Sequence, residues 1–432
     1  MAATETVFLA ACFFTLLILG VPIPFSIGIA TVLTMFFTID TLPALTTLAH
    51  QMATGLDSFA LLAIPFFVLA GQLMNRGGIA RRLIDFAKTL VGIAPGGLAF
   101  VNIVACMLFG AISGSAVAAA AAIGGFMVPM MAKEGYEKNF AAAINITSST
   151  TGLVIPPSNI LIVYALASGG SSIAALFLAG YLPGLLVGVA LMIVAAVFAF
   201  RRHYPTASAV SVKQMMVTLW AALPSLALLV IVIGGIVRGI FTATEASAIA
   251  VLYTFVLSVL VYREVSWRDL PQVLLDTAST TAIVMLLIAT SIGMSWIMSY
   301  ENIPQNISAA LISITENKVA ILLIINVILL VVGTFMDMTP AVLIFTPIFL
   351  PVVTTLGVHP VHFGIVMVLN LCVGLCTPPV GSVLFVGCGV AKLPITKVIK
   401  PLLPLWIAMI ISLLIVTLWP DLSLWLPRQF GF

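Results

Sequence analysis

The sequence predicts an all-α polytopic membrane protein built from two inverted repeats, each holding a re-entrant hairpin and a broken helix. Three observations lead there. The 432 residues are 62% hydrophobic and only 7% charged, with a mean hydropathy of +1.27, which rules out a water-soluble chain of this length. Apolar runs long enough to cross a hydrocarbon core of about 30 Å recur from end to end. Two pairs of Gly/Ser/Thr/Pro motifs interrupt those runs and repeat at nearly one offset. The formal charge of +3 is scattered and forms no basic face, so no nucleic-acid partner is expected and charge marks topology instead.

The first apolar stretch, 7–38, is far longer than a signal-peptide core and has no basic segment before it, so it is expected to stay in the mature chain. Crossings are expected near 7–38, 57–74, 138–168, 173–200, 218–238, 241–262, 272–298, 360–391 and 402–420, about nine in all. Stretches 96–131 and 317–356 are each about twice the length of one span. Both break at their centres into Gly, Ser, Thr, Pro or Asp, which reads as a hairpin that enters and leaves on one side. Between 78 and 91, Ile79, Leu83, Phe86, Ala87 and Leu90 share a helical face opposite Arg81, Arg82, Asp85 and Lys88, as in a helix lying in the interface. Its counterpart falls near 304–316. Residues 1–200 form the first half and 218–432 the second, and the polar segment 201–217, with Pro205, links them on the cytoplasmic side.

Lys and Arg test this map, because cytoplasmic loops collect them. Arg76, Arg81, Arg82 and Lys88 form one cluster, Lys133 and Lys138 a second, and Arg201, Arg202 and Lys213 a third. Arg263 and Arg268 follow, then Lys392, Lys397 and Lys400. Counting crossings between them places all of these on one face and leaves Arg238, Lys318 and Arg428 for the other. The first hairpin then enters from the cytoplasm and the second from the opposite side.

The motifs agree with that inversion. Gly110-Ala111-Ile112-Ser113-Gly114-Ser115 is followed by Thr151-Gly152-Leu153-Val154-Ile155-Pro156-Pro157-Ser158, and Gly333-Thr334-Phe335-Met336-Asp337-Met338-Thr339-Pro340 by Gly374-Leu375-Cys376-Thr377-Pro378-Pro379. Gly110 and Gly333 are 223 residues apart, and the two Pro-Pro pairs are 222 apart. Irregular backbone at membrane depth is tolerated only where it faces protein or a wet cavity. Four breaks in matched pairs therefore point to one interior site. Helix ends there offer unpaired carbonyls to a cation and unpaired N–H groups to an anion, with hydroxyls from Ser113, Ser115, Ser158, Thr339 and Thr377. Single positions such as Gly124-Gly125 are better explained by close helix packing.

Asp337 is an ionisable group in the hydrocarbon region and so a functional candidate, for a cation, a substrate hydroxyl or ammonium, or a proton. Glu245 sits in the first turn of its span, where helix capping explains it. The five Cys lie in apolar runs and read as packing rather than disulfides. His50, His203, His359 and His362 lie in loops or at span ends, with no metal-ligand spacing. H-E-x-x-H, G-x-S-x-G and G-x-x-x-x-G-K-[ST] are all missing, so neither an enzyme nor an ATP-driven engine is expected.

G-A-I-S-G-S, G-L-V-I-P-P-S, T-x-T-E-A and T-P-P-V-G, in this order over nearly the whole chain, resemble the large membrane subunit of tripartite ATP-independent periplasmic (TRAP) transporters. The resemblance implies a multi-pass protein of the bacterial inner membrane that imports organic acids, such as sialic acid or C4-dicarboxylates, on a sodium gradient. It implies two partners, a periplasmic substrate-binding protein and a small four-helix membrane subunit, here expected to be a separate chain. It also implies an elevator, in which a transport domain of hairpins and broken helices slides against a scaffold. Carried onto matching positions, one sodium site would use Gly110 and Ser113 with Gly152, Ile155 and Pro157. The other would use Gly333 and Met336 with Gly374, Thr377 and Val380, mostly through carbonyls. Substrate contacts would fall at Ser113, Ser115, Ser158 and Asp337. Met338 stands where the first half has Ser115, so the two sites should differ chemically. The alternative reading is a passive channel or uniporter for organic anions, which would use the same broken helices without a sodium gradient.

Overall fold

The computed structural model describes residues 2–92, 96–202, 204, 212–315 and 317–432, and among them helices are the only regular structure. The expected linker lies largely outside the described residues, as does His203. In the first half, α1 (Ala2–Ile18), α2 (Ile23–Met35) and α3 (Thr41–Leu56) precede a short 3-10 turn and α4 (Ala63–Arg76). The interfacial α5 (Ile79–Val91) leads to the hairpin α6 (Gly97–Ser113) and α7 (Ala116–Lys133). The broken pair α8 (Lys138–Thr151) and α9 (Asn159–Ala167) follows, then α10 (Ile173–Arg202). The second half repeats the order. It runs α11 (Val212–Val237), α12 (Ala243–Phe255) with a π turn, α13 (Leu270–Tyr300), and α14 (Ile303–Ile314) in the interfacial position. The hairpin α15 (Lys318–Phe335) and α16 (Met338–Thr355) comes next, then the broken pair α17 (Pro360–Leu375) and α18 (Ser382–Ala391), α19 (Ile395–Leu418) and α20 (Asp421–Gln429).

Both hairpins and both broken helices stand where the sequence places them. The stretch 7–38 differs, because it folds as two helices rather than one crossing. Gly20 at φ +82° and the Pro22 cap turn the chain, and Phe8 meets Phe37 edge to face at 4.5 Å, so α1 and α2 run antiparallel. Nine helices among the described residues are long and apolar enough to cross a membrane, but they are not the nine expected segments. Three of the hairpin arms meet that test by length and composition, whereas the broken helices are too short on either side of their breaks. In α5, Ile79, Leu83 and Ala87 are buried as expected, but Leu90 is 52% exposed and Ile84 takes its place.

Inverted pairing organises the outer helices: α2 packs on α13 and α12 on α4. The α12 start is fixed by a capping box in which the Glu245 N–H donates to Thr242 Oγ1 (3.3 Å) and the Thr242 N–H to Glu245 Oε2 (2.8 Å). That satisfies backbone donors a helix start leaves unpaired and bears out the structural reading of Glu245.

Several of the Lys/Arg-rich loops contact one another. Arg76 pairs with Asp276 and Arg202 with Glu137, while Arg82 reaches Glu264 at 2.9 Å with its guanidinium 3.6 Å above the Tyr262 ring. Elsewhere Thr38 donates to Glu301 (2.7 Å) and Lys318 to the Gly357 carbonyl (3.3 Å).

The centre is polar, not oily. Thr147, Ser148, Ser149 and Thr150 of α8 are fully buried. Each hydroxyl donates to a carbonyl three or four residues back, for example Ser148 to Ile144 at 2.6 Å and Ser149 to Asn145 at 2.5 Å. Satisfying hydroxyls within the helix makes their burial affordable, so α8 can be enclosed on all sides.

Candidate functional site

Each hairpin tip is pressed against the break of its own half. A Cβ on Gly110 would lie 2.9 Å from Gly152 Cα, and one on Gly374 2.6 Å from Gly333 Cα. Only hydrogen fits in those gaps, so the glycines bring two backbones into direct contact. Of the residues expected in the two sodium sites, the glycines meet in pairs, Gly110 of the α6 tip on Gly152 of the α8 break and Gly333 of α15 on Gly374 of α17.

Around the second pair the geometry is tight. The Gly381 N–H donates to the Thr334 carbonyl (3.0 Å), fastening the far side of the break to the hairpin. Thr377 Oγ1 donates to the Val373 carbonyl (2.7 Å) and accepts from Trp406 Nε1 (2.7 Å). Most of that hydroxyl is therefore engaged, and a cation here would draw chiefly on carbonyl oxygens. Met336 is buried, whereas Val380 is 39% exposed on the break. In the first half, Gly184 of α10 takes the Ile155 side chain, since a Cβ there would come within 2.4 Å of it. That leaves Ile155 only its backbone to offer. Pro157 is buried beside it.

The two tips meet across a cavity of about 310 Å³. Ser113, Gly114 and Ser115 come from the first tip, and Asp337, Met338 and Thr339 from the second. Ser115 caps α7, accepting from the Ala118 N–H at 3.2 Å. Asp337 holds the same N-cap position on α16, makes no side-chain cap bond of the kind Ser115 makes, and lines the cavity. Asp337 is itself exposed. Among the described residues, no Lys, Arg or His lines the space.

Ser158 does not reach it. Its hydroxyl turns back to donate to the Leu153 carbonyl (2.5 Å) and is buried, and the next residue, Asn159 at the start of α9, lines the cavity instead. The Asn159 amide packs against Gly114, whose φ of +62° and missing Cβ allow the approach. Gln72 and Asn75 of α4 and Thr280 of α13 complete the polar wall. Gly71 lets α4 come close to the Ser113 carbonyl, where a Cβ would sit at 3.0 Å. Sequence reading missed Asn159, Gln72, Asn75, Thr280 and Trp406. Of these only Asn159 carried a local signal, its place directly after the Pro-Pro-Ser break.

Three helix N-termini, those of α7, α9 and α16, therefore point into one space, while the C-terminal ends of α6 and α15 abut it. N-termini favour anions and exposed carbonyls favour cations. An anionic ligand flanked by cations fits this arrangement.

Comparison with known proteins agrees with this architecture. Residues 10–422 match the family described as "Tripartite ATP-independent periplasmic transporter, DctM component". An uncharacterised protein of Salmonella typhimurium, YgiK, is 55% identical over 97% of this chain and 96% of its own length. The C4-dicarboxylate TRAP transporter large permease protein DctM of Rhodobacter capsulatus is 39% identical over 96% of this chain and 97% of its own. The sialic acid TRAP transporter large permease protein SiaM of Vibrio cholerae is 38% identical, covering 96% of each. Among solved structures, the YdaH transporter of Alcanivorax borkumensis superposes with a TM-score of 0.65 over 88% of this chain and 89% of that one, at 16% identity, a likeness of fold alone. The chain belongs to the TRAP transporter family as its large permease component, a multi-pass protein of the bacterial inner membrane.

Proposed function

We propose that this permease subunit imports an organic-acid carboxylate together with Na+, receiving it from a periplasmic binding protein and working beside a small four-helix membrane subunit. The observation that carries the reading is Asp337, a carboxylate between two hairpin tips in a cavity that no basic side chain lines among the described residues. A second carboxylate about 5 Å away would be repelled by roughly 3 kcal/mol at an effective dielectric of about 20. Cations must accompany the substrate to offset this, and the glycine-paired breaks beside the cavity are the natural places. Binding that requires both species is the thermodynamic basis of coupling.

The substrate carboxylate is received by the N-termini of α7 and α9 and the hydroxyls of Ser113 and Ser115. Sodium is cargo here, held through carbonyls at Gly110, Gly152, Ile155 and Pro157 and at Gly333, Met336, Gly374, Thr377 and Val380, with the Ser113 hydroxyl in reach. Relatives named for C4-dicarboxylates, sialic acid and 2,3-diketo-L-gulonate set the substrate class as organic acids.

Alternating access is by an elevator. Hairpins and broken helices form the moving body, and α2, α4, α12 and α13 belong to the scaffold. The cavity lies level with Asn75 and Thr280, next to the Arg76–Asp276 pair. That is the Lys/Arg-rich end of the scaffold helices, so this conformation presents the site to the cytoplasm.

The test is uptake into proteoliposomes holding this chain and its small subunit, with a binding protein outside. Accumulation with an inward Na+ gradient and none with K+ supports the proposal. Flux that needs neither Na+ nor the binding protein would make the protein a channel or uniporter.

A further inference from the structure

A second cavity, of about 470 Å³, lies at the other end of α13. Ser291, Ser295 and Ser299 line it at four-residue spacing, which puts them on one helix face over about 12 Å. Their exposure rises in that order, from buried through half-buried to exposed. They make a hydroxyl ladder from the interior to the end where Glu301 meets Thr38. Gln51 and Thr54 of α3 add further polar groups, and the facing wall is apolar, from Leu166 of α9 and Leu343 of α16.

Two observations mark the ladder as more than packing. Helix packing between α3 and α13 is done by glycines elsewhere: a Cβ on Gly293 would lie 2.3 Å from Leu48, and one on Gly55 2.5 Å from Ile292. Ser291 is 2% exposed and its Oγ has no hydrogen-bond partner among the described residues. Its neighbour Thr290 donates back to the Leu286 carbonyl at 2.9 Å, so an intrahelical partner was available to a hydroxyl here. A buried hydroxyl left unpaired costs about 1–3 kcal/mol, a cost that a polar ligand in the cavity would remove.

We infer that this hydroxyl face is a second station for the organic acid, the polar wall its carboxylate and hydroxyl groups meet when the transport site faces the periplasm. The inference rests on the proposed transport function. It is a consequence of the cavity positions on α13. Thr280 lines the first cavity, and Ser291 and Ser295 are about 16 and 22 Å further along the helix. A bundle carrying Asp337 and Ser115 that slides by that length exchanges Thr280 for the serine ladder as the scaffold surface opposite its cargo. The ladder is uncharged, so it hydrates the acid and releases it without trapping it.

Right-side-out vesicles holding the full chain and its small subunit, with the periplasmic binding protein added outside, test this. Wild-type uptake is measured first with succinate, sialic acid and 2,3-diketo-L-gulonate. Ser295→Cys and Ser299→Cys are then labelled with a membrane-impermeant maleimide, with wild type and the lipid-facing Ile283→Cys as controls. Both ladder cysteines are expected to label from the periplasmic face, and the transported acid with Na+ to slow labelling at least fivefold. Ser291→Val is expected to raise the half-saturating acid concentration at least fivefold, with less than a twofold change in maximal rate at equal protein in the membrane. Labelling that the acid does not slow, or an unchanged half-saturation in Ser291→Val, overturns the station and leaves the transport function standing. Wild type that accumulates none of the three acids overturns both.

Discussion

The thiol of Cys372 donates to the backbone carbonyl of Thr150 across 3.2 Å, and the two residues are 222 positions apart. That separation is the repeat offset between the Pro-Pro motifs, so a residue of the first half here touches its own counterpart in the second. Only residues beside the pseudo-two-fold axis can do this. The axis therefore passes between α8 and α17, the two helices that run into the breaks. A second matched contact flanks it. Asn102 of α6 donates to Ser148 Oγ at 3.4 Å, and Asn370, which is Ser148 displaced by 222, donates to the Asn326 carbonyl at 2.9 Å. In each half a buried amide holds the hairpin's first arm to its broken helix. Polar contacts of this kind fix relative position inside an apolar bundle, so tips and breaks should move as one body.

Asp337 is the first residue to test. Asp337→Asn keeps the volume and hydrogen-bonding capacity but removes the charge proposed to draw a cation into a cavity that no basic side chain lines among the described residues. Sodium-driven uptake is expected to fall at least tenfold, an intramembrane carboxylate being expensive to keep without a function. Protein recovered in the membrane should be unchanged. Uptake within twofold of wild type would remove Asp337 from the site.

The glycine contacts predict a graded stability series. Gly374→Ala puts a methyl 2.6 Å from Gly333 Cα, a backbone atom that cannot step aside, whereas Gly389→Ala in α18 meets nothing within 4 Å. The first is expected to cost about 1–3 kcal/mol by overpacking and to abolish uptake. The second should be neutral or slightly stabilising, as Ala is the better helix former by about 1 kcal/mol. Thermal unfolding in detergent, read side by side, distinguishes them.

Trp406 offers a test of the second proposed sodium site without touching its backbone. Trp406→Phe keeps the aromatic bulk but removes the donor 2.7 Å from Thr377 Oγ1. The hydroxyl then loses the partner that orients it, and the break after α17 loses a tether to α19. The half-saturating Na+ concentration is expected to rise about three- to tenfold, in line with one hydrogen bond of roughly 1 kcal/mol. Acid affinity at saturating Na+ should move less than twofold.

Hairpins and breaks were legible in the sequence because Gly, Ser and Pro-Pro are visible interruptions in an apolar background, and because the second half repeats them. The turn between α1 and α2 was not, since Leu19-Gly20-Val21-Pro22 contains no charge and hydropathy runs through it unbroken. α3 escaped for the opposite reason: Thr, His50 and Gln51 make it too polar to register as a span, although it packs on α13. In the site, Asp337, Ser113 and Ser115 were readable from charge and motif. Gln72, Asn75 and Thr280 were not, because only tertiary packing of α4 and α13 against the tips brings them there. Ser158 shows the limit of motif reading, since whether a buried hydroxyl faces a cavity or a carbonyl depends on backbone curvature through the break.

Arg82 links the interfacial helix to the loop before α13, and its replacement should separate movement from binding. Its guanidinium pairs with Glu264 at 2.9 Å, donates to the Gly78 carbonyl at 2.9 Å and lies over the Tyr262 ring at 3.6 Å. A partly exposed ion pair contributes about 0–1 kcal/mol and the cation–ring contact about 0.5–1 kcal/mol, so Arg82→Ala should cost roughly 1–2 kcal/mol. Because α5 packs on both α6 and α11, it bridges a hairpin arm and an outer helix. Loosening its anchor alters the motion between them, and no atom of the cavity is touched. The maximal uptake rate is therefore expected to change at least threefold, while the half-saturating concentrations of acid and Na+ stay within twofold. Arg82→Lys keeps the charge but loses the planar fork and most of the ring stacking, so it should fall between wild type and Arg82→Ala. A change confined to half-saturation would place α5 in the binding site and contradict its role as a link between the two bodies.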